Sequence, residues 1–510
     1  FYVAGAYSAA SSPRPFDAPK RAAIADLLAE QNRSVGAGPQ VMANIERLRA
    51  GASVVVTGQQ VMLFGGPLLT LLKAATAIRK AQDATAAGDP QVPVFWLASE
   101  DHDLAEADHL VLPSRHELHT LRWQGSAGST TAAVPVGNVH LGTETDTLLD
   151  ETEQLLGPGP WIDDLRRCYS TNDATFATAF ARWISSAFAA QGLIVIDAAS
   201  RPFHALGAET LRQAIVNADD LTEKLLARDK ELAAAGYHSQ VLVSPNSSLL
   251  FLLDADTGMR RPLHRVESGN NDTTWQAGKS NYTTADLLTI LDSEPERISP
   301  NALLRPIFQD TILPTSSYIG GPAEIAYFAQ SQVLYEAMLG RTTPIFPRLS
   351  ATLIEAPIAE AIARHEITLP DIFKYQASEL AQRIGARSMP IEGKKKLAAA
   401  GKSLDEELTA LTAWMDALNP DLGRSAKVAA SKMRYQMNRL RRLAANFQLQ
   451  QDASLRRHVD AIYLALLPQR HPQERVIGGV WFLSRYGDGL PALLVEHASQ
   501  QCPGHKVIYL

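Results

Sequence analysis

Apolar positions along this chain fall into two textures. Over roughly the first 370 residues, short continuous apolar runs alternate with longer amphipathic stretches. "SVVVTG" at 53–58, "VPVFWLAS" at 92–99, "GLIVIDA" at 192–198 and "TPIFPR" at 343–348 are short and β-rich, and read as strands buried on both faces. Helical patterns occupy 66–82, 163–190, 203–234 and 322–339, the first with Pro67 suited to its opening turn. This alternation predicts an α/β fold, a doubly wound Rossmann-like parallel sheet with helices on both faces. Two stretches interrupt it. The first, 110–160, is rich in Gly, Thr and short alternating segments; the second, 254–300, contains "ESGNNDTTWQAGKSN" and reads as a loop-rich excursion. Both are expected above the carboxyl edge of the sheet, where α/β proteins bind ligands.

After about residue 370 the texture becomes long helix. Met433, Met437, Leu440, Ala444 and Phe447 recur at steps of four and three, a heptad seam, and Leu404, Leu408, Leu411, Met415 and Leu418 form a shorter stripe before "NPDLG". Two antiparallel helices joined at that turn are predicted. The expected layout is a core over 1–375, a helical coiled-coil domain over 376–468, and a C-terminal segment over 469–510. In that last segment "GGVWFLSRY" and "PALLVEH" read as β-like material packing on the core or the coiled coil.

Composition narrows the class. With 46% apolar and 20% charged residues the chain can build an ordinary core, and a net charge of −6 gives no bias toward nucleic acid. Cys168 and Cys502 lie far apart, which argues against a disulfide framework or structural zinc. No apolar run is long enough for a membrane helix, and "FYVAGAYSAASSPRPFDAPKR" lacks the pattern of an export signal. A cytoplasmic protein is expected. Basic residues at 394–396 and at Arg439, Arg441 and Arg442 fit a charged helix face better than RNA contact.

The candidate chemistry gathers at strand ends. "TGQQVMLFGGPLL" links the first strand to its helix: Thr57, Gly58, Gln59 and Gln60, then Gly65 and Gly66, offer tight turns and free N–H groups suited to an anion. It is neither GxGxxG nor a Walker loop, and a glycine-rich turn with exposed glutamines is the competing reading. Lys73, deeper in that helix, reads as a snorkelling surface lysine. Ser99, Glu100, Asp101, His102 and Asp103 leave the second strand beside this turn. A histidine flanked by carboxylates can serve as general base, so His102, Asp101 and Asp103 are the catalytic candidates. Acids decorating a helix start explain Asp103, Glu106 and Asp108 but explain His102 less well. His102 and His109 match no strong zinc pattern, and no metal ligand is assigned.

A second Gly-Gly-Pro, in "TSSYIGGPAEIAYFAQ", suggests another backbone approach to one ligand through Tyr318, Gly320, Gly321 and Glu324, although Glu324 could simply complement the helix dipole. "RPIFQDTILP" adds Arg305, Gln309 and Asp310 beside an apolar strand, with Arg305 able to clamp a carboxylate or phosphate or to pair with a structural acid. His238, Gln240 and Arg260, in a segment read as strands with a basic turn, could face a ligand or solvent.

Taken in order, "TGQQVMLFGGPLLTLLKA", "PVFWLASEDHDLAEADH", "GYHSQV", "LLRPIFQDTILPTSSYIGGPAEIAYFAQ" and "PIFPRLS" resemble the bacillithiol biosynthesis cysteine-adding enzymes, the cysteine ligase BshC family. With the helical tail the resemblance covers nearly the whole chain. Met62 stands where the family usually has Gly, and Ala105 where it commonly has an acid. The resemblance implies a core related to class I aminoacyl-tRNA synthetases with connective-peptide-like insertions, and a coiled coil that pairs subunits into a homodimer. It also implies a reaction joining the carboxyl group of cysteine to the amine of glucosaminyl-malate. A carboxylate is a poor electrophile, so activation by a nucleotide is expected, with ATP as cosubstrate and an adenylate or acyl phosphate formed. Glycine-rich helix starts would hold phosphate, and His102 or a neighbouring carboxylate would deprotonate the amine. A transferase acting on another amine, or a ligand-binding coiled-coil interaction protein, are the alternatives.

Overall fold

The computed structural model describes residues 16–114, 116–125, 133–171, 173–266, 274–451, 453–499 and 504–510. Cys502 and the polar run 267–273 fall outside these residues. Five strands form the central parallel sheet: β1 (Ser53–Gln60), β2 (Gln91–Ala98), β3 (Ile194–Ile196), β4 (Thr315–Gly320) and β5 (Ile345–Pro347), in the order β5-β4-β1-β2-β3. Pairing of β1 with β2 runs unbroken from Ser53–Gln91 to Gln60–Ala98, and β1 pairs with β4 through Thr57 and Ile319. The chain builds outward from β1 on one side, then returns to its other side with β4. That reversal puts a crevice at the carboxyl ends of β1 and β4, the topological switch point of a doubly wound sheet.

Strand β4 escapes an apolar-run reading because Thr315, Ser316 and Ser317 open it. The Ser316 hydroxyl does not need water: it bonds the Val54 carbonyl at 2.9 Å and the Gln91 side chain at 2.8 Å. Before it, Arg305–Ile312 is a helix, so Arg305, Gln309 and Asp310 sit on helical turns beside β4. The helix Leu69–Ala86 packs Leu71, Leu72, Ala75 and Ile78 into the core, and Pro322–Leu339 covers the β4 side.

Two stretches differ from their sequence reading. The excursion at 254–300 belongs to a five-stranded antiparallel sheet, ordered Ile298–Pro300, Ser247–Leu253, Arg260–Val266, Thr274–Ala277 and Ser280–Thr283. Its alternation was hidden because Arg265 is buried on the same face as Leu263 while Arg260 is buried on the opposite one. At the C-terminal end, "GGVWFLSRY" and "PALLVEH" are the helices Gly479–Tyr486 and Gly489–His497 rather than β-like segments. Val480, Phe482, Leu483, Leu490 and Leu494 are buried, and a short apolar run buried all round has the same pattern in helix and strand.

By compactness the chain divides into two units. One comprises the described parts of Phe1–Leu112, His119–Ala351 and Glu474–Lys506; the other comprises those of Pro113–Leu118, Thr352–Gln473 and Val507–Leu510. The helical unit thus starts well before residue 376. Ile354, Ile362, Ile372 and Leu380 close around Leu455, Val459 and Ile462, so the short helices preceding the coiled coil belong to its core. Within that unit Ile391–Leu418 and Pro420–Gln451 form the antiparallel hairpin. Met437 is buried, whereas Met433, Leu440 and Phe447, spaced by heptads, are 53%, 55% and 56% exposed. The seam therefore splits into an inward residue and an outward stripe.

The C-terminal part of the first unit is fastened by an ion pair. Arg348 meets Glu474 through two bonds of 2.7 and 3.0 Å, and Glu474 also accepts the Ala351 N–H at 2.9 Å. Both side chains are buried. Removing one partner strands the other charge, so Glu474→Ala should destabilise the fold by about 3–5 kcal/mol in chemical denaturation.

Candidate active site

A cavity of about 690 Å³ opens at the switch point. It lies within the range of small-molecule sites, roughly 300–1,000 Å³. Gly58, Gln59 and Gln60 from the end of β1, Glu100, Asp101 and His102 from beyond β2, and Tyr318, Gly321 and Glu324 around the end of β4 all line it. So do Lys73, Arg260, Arg305, Tyr327, Arg348 and Arg475.

Lys73 does not snorkel to the surface. Its side chain is only 6% exposed; the ammonium lies 2.5 Å from Glu324 and donates to the Gly58 carbonyl at 2.6 Å. Glu324 in turn accepts the Tyr318 hydroxyl and the Gly321 N–H, each at 2.7 Å. Burial opposes the Glu324 carboxylate, but Lys73, the Gly321 N–H and the Tyr318 hydroxyl outweigh it and hold its pKa below the usual value. Burial also lowers the pKa of Lys73, against the pull of Glu324. Glu324 therefore does more than complement a helix dipole.

Arg305 donates to the Tyr327 hydroxyl at 2.8 Å and to Gln309 at 3.2 Å, with the Tyr318 ring centroid 5.5 Å away. Burial disfavours its charge; Tyr327, Tyr318 and Glu324 more than restore it, and its pKa is raised. It forms no direct ion pair with a carboxylate among the described residues. Arg260, buried over the Phe251 ring at 3.8 Å, is held by Ser299 and the Pro300 carbonyl.

The segment after β2 divides its tasks. The Asp101 carboxylate accepts the backbone N–H of His102 at 2.7 Å and of Asp103 at 3.3 Å, fixing the turn. Asp103 caps the short helix Leu104–Ala107 by accepting the Glu106 N–H, and it stands outside the cavity lining. The His102 imidazole is 39% exposed, 5.8 Å from the Phe251 ring, and its Nδ1 has no hydrogen-bond partner. Glu100 bonds a buried histidine, His204, at 2.9 Å. Glu106, at the rim, has a pKa raised by desolvation and by Asp101 and Asp103. His109 turns instead to Asp108, 3.1 Å away, and among the described residues no group of three or more His, Cys, Asp or Glu is placed to hold a metal.

Other candidates support the walls. Thr57 bonds the Ile319 carbonyl at 2.9 Å, and Ser99 bonds Asp197 at 2.5 Å. Gly65 and Gly66 have φ of +84° and +68°; a Cβ on Gly65 would meet Trp183 at 2.3 Å, so packing and turn geometry require these glycines. A Cβ on Gly320 would press on Ile345 and Glu324, at 3.0 and 3.1 Å. Gln309 braces Arg305, while Asp310 is fully buried with Thr343. His238 is exposed, and Gln240 is anchored by its backbone N–H to Gln330 at 2.9 Å; neither lines the cavity. Sequence reasoning missed the roles of Lys73, Tyr327, Arg348 and His204. The "LLKA" spacing, which places Lys73 on the sheet-facing side of an otherwise apolar helix, was the one available signal.

A Rossmann-like unit with a concave, charged site at its switch point, joined to a helical coiled-coil unit, is the architecture of an α/β enzyme with a helical appendage. Residues 6–349 match the family model "Bacillithiol biosynthesis BshC, N-terminal Rossmann-like domain", and 351–510 match its "C-terminal coiled-coil domain". The chain belongs to the BshC family of bacillithiol biosynthesis. Among similar proteins are those of Koribacter versatilis (42% identical, covering 95% of this chain and 89% of the relative) and Solibacter usitatus (35%, covering 99% and 92%). A third, from Thermus thermophilus, is 30% identical over 92% of this chain and 90% of its own. Each carries the name "Putative cysteine ligase BshC".

The Glu324 carboxyl makes a pH prediction. Its folded pKa is depressed, so its stabilisation is complete above the unfolded value of about 4.5 and fades as pH falls through the folded value. In urea denaturation the stability advantage of wild type over Glu324→Gln should be constant near neutrality and shrink below about pH 4.5.

Proposed function

We propose that this chain is a cysteine ligase that joins the carboxyl group of cysteine to the amine of glucosaminyl-malate, working in the cytoplasm with nucleotide-dependent activation. The observation that carries the reading is the pairing of opposite chemistries in one cavity: Arg305 and Arg475 without ion-pair partners among the described residues, and Glu100 and Asp101 on the same lining. Cations on the lining suit the carboxylates of both substrates, and acids suit their ammonium groups. An anionic nucleotide is compatible with the same cations. Gly58 lines the cavity, and a Cβ there would crowd the Trp96 carbonyl at 3.0 Å and the Tyr318 hydroxyl at 3.3 Å, so this strand end needs a glycine. When bound, ATP would supply the activation that a free carboxylate lacks.

In this reading Arg305 orients a carboxylate, and the Lys73–Glu324–Tyr318 wall keeps the floor rigid and charged. His102, whose ring belongs to the lining, removes a proton from the substrate ammonium group so that the free amine can attack. Asp101 sets the turn that carries His102. Mass spectrometry of purified protein with cysteine, glucosaminyl-malate and a panel of nucleotides should detect the thiol product. His102→Ala should lower its rate about 10²-fold or more with the fold intact. Ligand binding without product would instead mark a binding protein.

The outward stripe of Met433, Leu440 and Phe447 supports a homodimer through the helical unit. Unburied apolar surface costs about 25 cal/mol per Å², and a symmetric contact between two copies removes it. Light scattering should give a dimer for wild type and a monomer for Leu440→Asp or Phe447→Asp. A wild-type monomer at micromolar concentration contradicts this.

A further inference from the structure

Behind the cavity, paired with Glu100, lies a histidine that the proposed reaction does not use. Glu100 leaves the end of β2 and reaches the lining, while His204, in the first turn of the helix Arg201–Val216, is fully buried. His204 Nε2 is 2.9 Å from Glu100 Oε1, and its Nδ1 is 3.1 Å from the Pro295 carbonyl oxygen. The Phe308 ring packs 5.2 Å from the imidazole.

Hydrogen-bond accounting restricts the protonation state. A backbone carbonyl only accepts, so Nδ1 carries a proton. A neutral ring would then turn the Nε2 lone pair toward a carboxylate oxygen, and two acceptors 2.9 Å apart repel. The contact requires one further proton between them. The Glu100 and Asp101 carboxylates both act on the buried Arg260 guanidinium, and Asp197 lies in the field of both Glu100 and His204. Burial opposes an imidazolium, but Glu100 and the backbone at Pro295 and Ile298 outweigh it, and the pKa of His204 is raised. Glu100 Oε2 has no hydrogen bond within the described residues and remains available to a ligand.

We propose that His204 is a positioning residue: its ring, hydrogen-bonded on both nitrogens, holds the Glu100 carboxylate in place, so that Glu100 receives the primary ammonium group of a substrate. This rests on the ligase reading, in which both cysteine and the amino sugar carry such a group. No proton leaves the pair; its task is to bind and orient.

Two variants of the full chain and one spectroscopic measurement test this. In ¹⁵N NMR of histidine-labelled protein, the resonances removed by His204→Gln should be those of a doubly protonated ring at pH 8, and Glu100→Gln should abolish that state. His204→Leu should raise the KM of one amine substrate about tenfold or more, leaving kcat and the other KM little changed. The substrate affected identifies whose ammonium sits on Glu100. His204→Gln, whose amide can still donate to Glu100, should recover most of the loss. A neutral His204 at pH 8, unchanged KM values, or an equal rise in both would overturn the proposal. Should wild type form no thiol product, the ligase reading fails by itself, and calorimetric binding of cysteine and of glucosaminyl-malate to wild type and His204→Leu still decides whether the pair holds an ammonium group.

Discussion

The buried contact between Lys73 and Glu324 is the constraint around which the first unit's chemistry is arranged. It joins the helix after β1 to the helix after β4, across the point where the sheet reverses direction. Desolvating two such ions costs several kcal/mol each, so their mutual attraction is a poor source of net stability. What the pair provides is geometry. Lys73 also reaches the Gly58 carbonyl, and Glu324 also holds Tyr318 and the Gly321 N–H, so both strand ends are tied to one charge centre. Arg305, stacked near Tyr318 and bonded to Tyr327, extends that centre to the cavity.

This arrangement explains why the site lies where the sequence gathers glycine. Each Gly-Gly-Pro precedes a helix, but the two do different work. Gly58 and Gly321 line the cavity; Gly65 and Gly66 solve a packing problem against Trp183 and Met62. The acidic segment after β2 is likewise divided. Asp103 serves the backbone outside the lining, Asp101 serves it from the lining, and His102 and Glu100 share that lining.

Much of the fold was legible because apolar runs over β1, β2 and β3 are continuous and the helix Pro322–Leu339 is marked by its Pro and Gly boundaries. Strand β4 was not, since the Ser316 hydroxyl finds its partners only once β1 and β2 lie alongside. Lys73 was misjudged for a similar reason: its neutralising partner comes from a distant helix, and a lysine among leucines has no local sign of that. His204 carried still less signal, being one histidine on an apolar helix whose meaning depends on Glu100 and the Pro295 carbonyl. In the helical unit the heptads were visible, but which of them faces inward depends on the hairpin's packing, and only Met437 of the seam is enclosed while three others face outward.

The central claim is that both substrates meet in the switch-point cavity, with a carboxylate on the Arg305 side and an ammonium group on Glu100. A crystal structure of the protein with cysteine and glucosaminyl-malate tests it most directly. The account predicts ligand density in the cavity within hydrogen-bonding reach of Arg305 and Glu100, beside the ends of β1 and β4. Density for both substrates elsewhere, with this cavity holding only solvent, would contradict it.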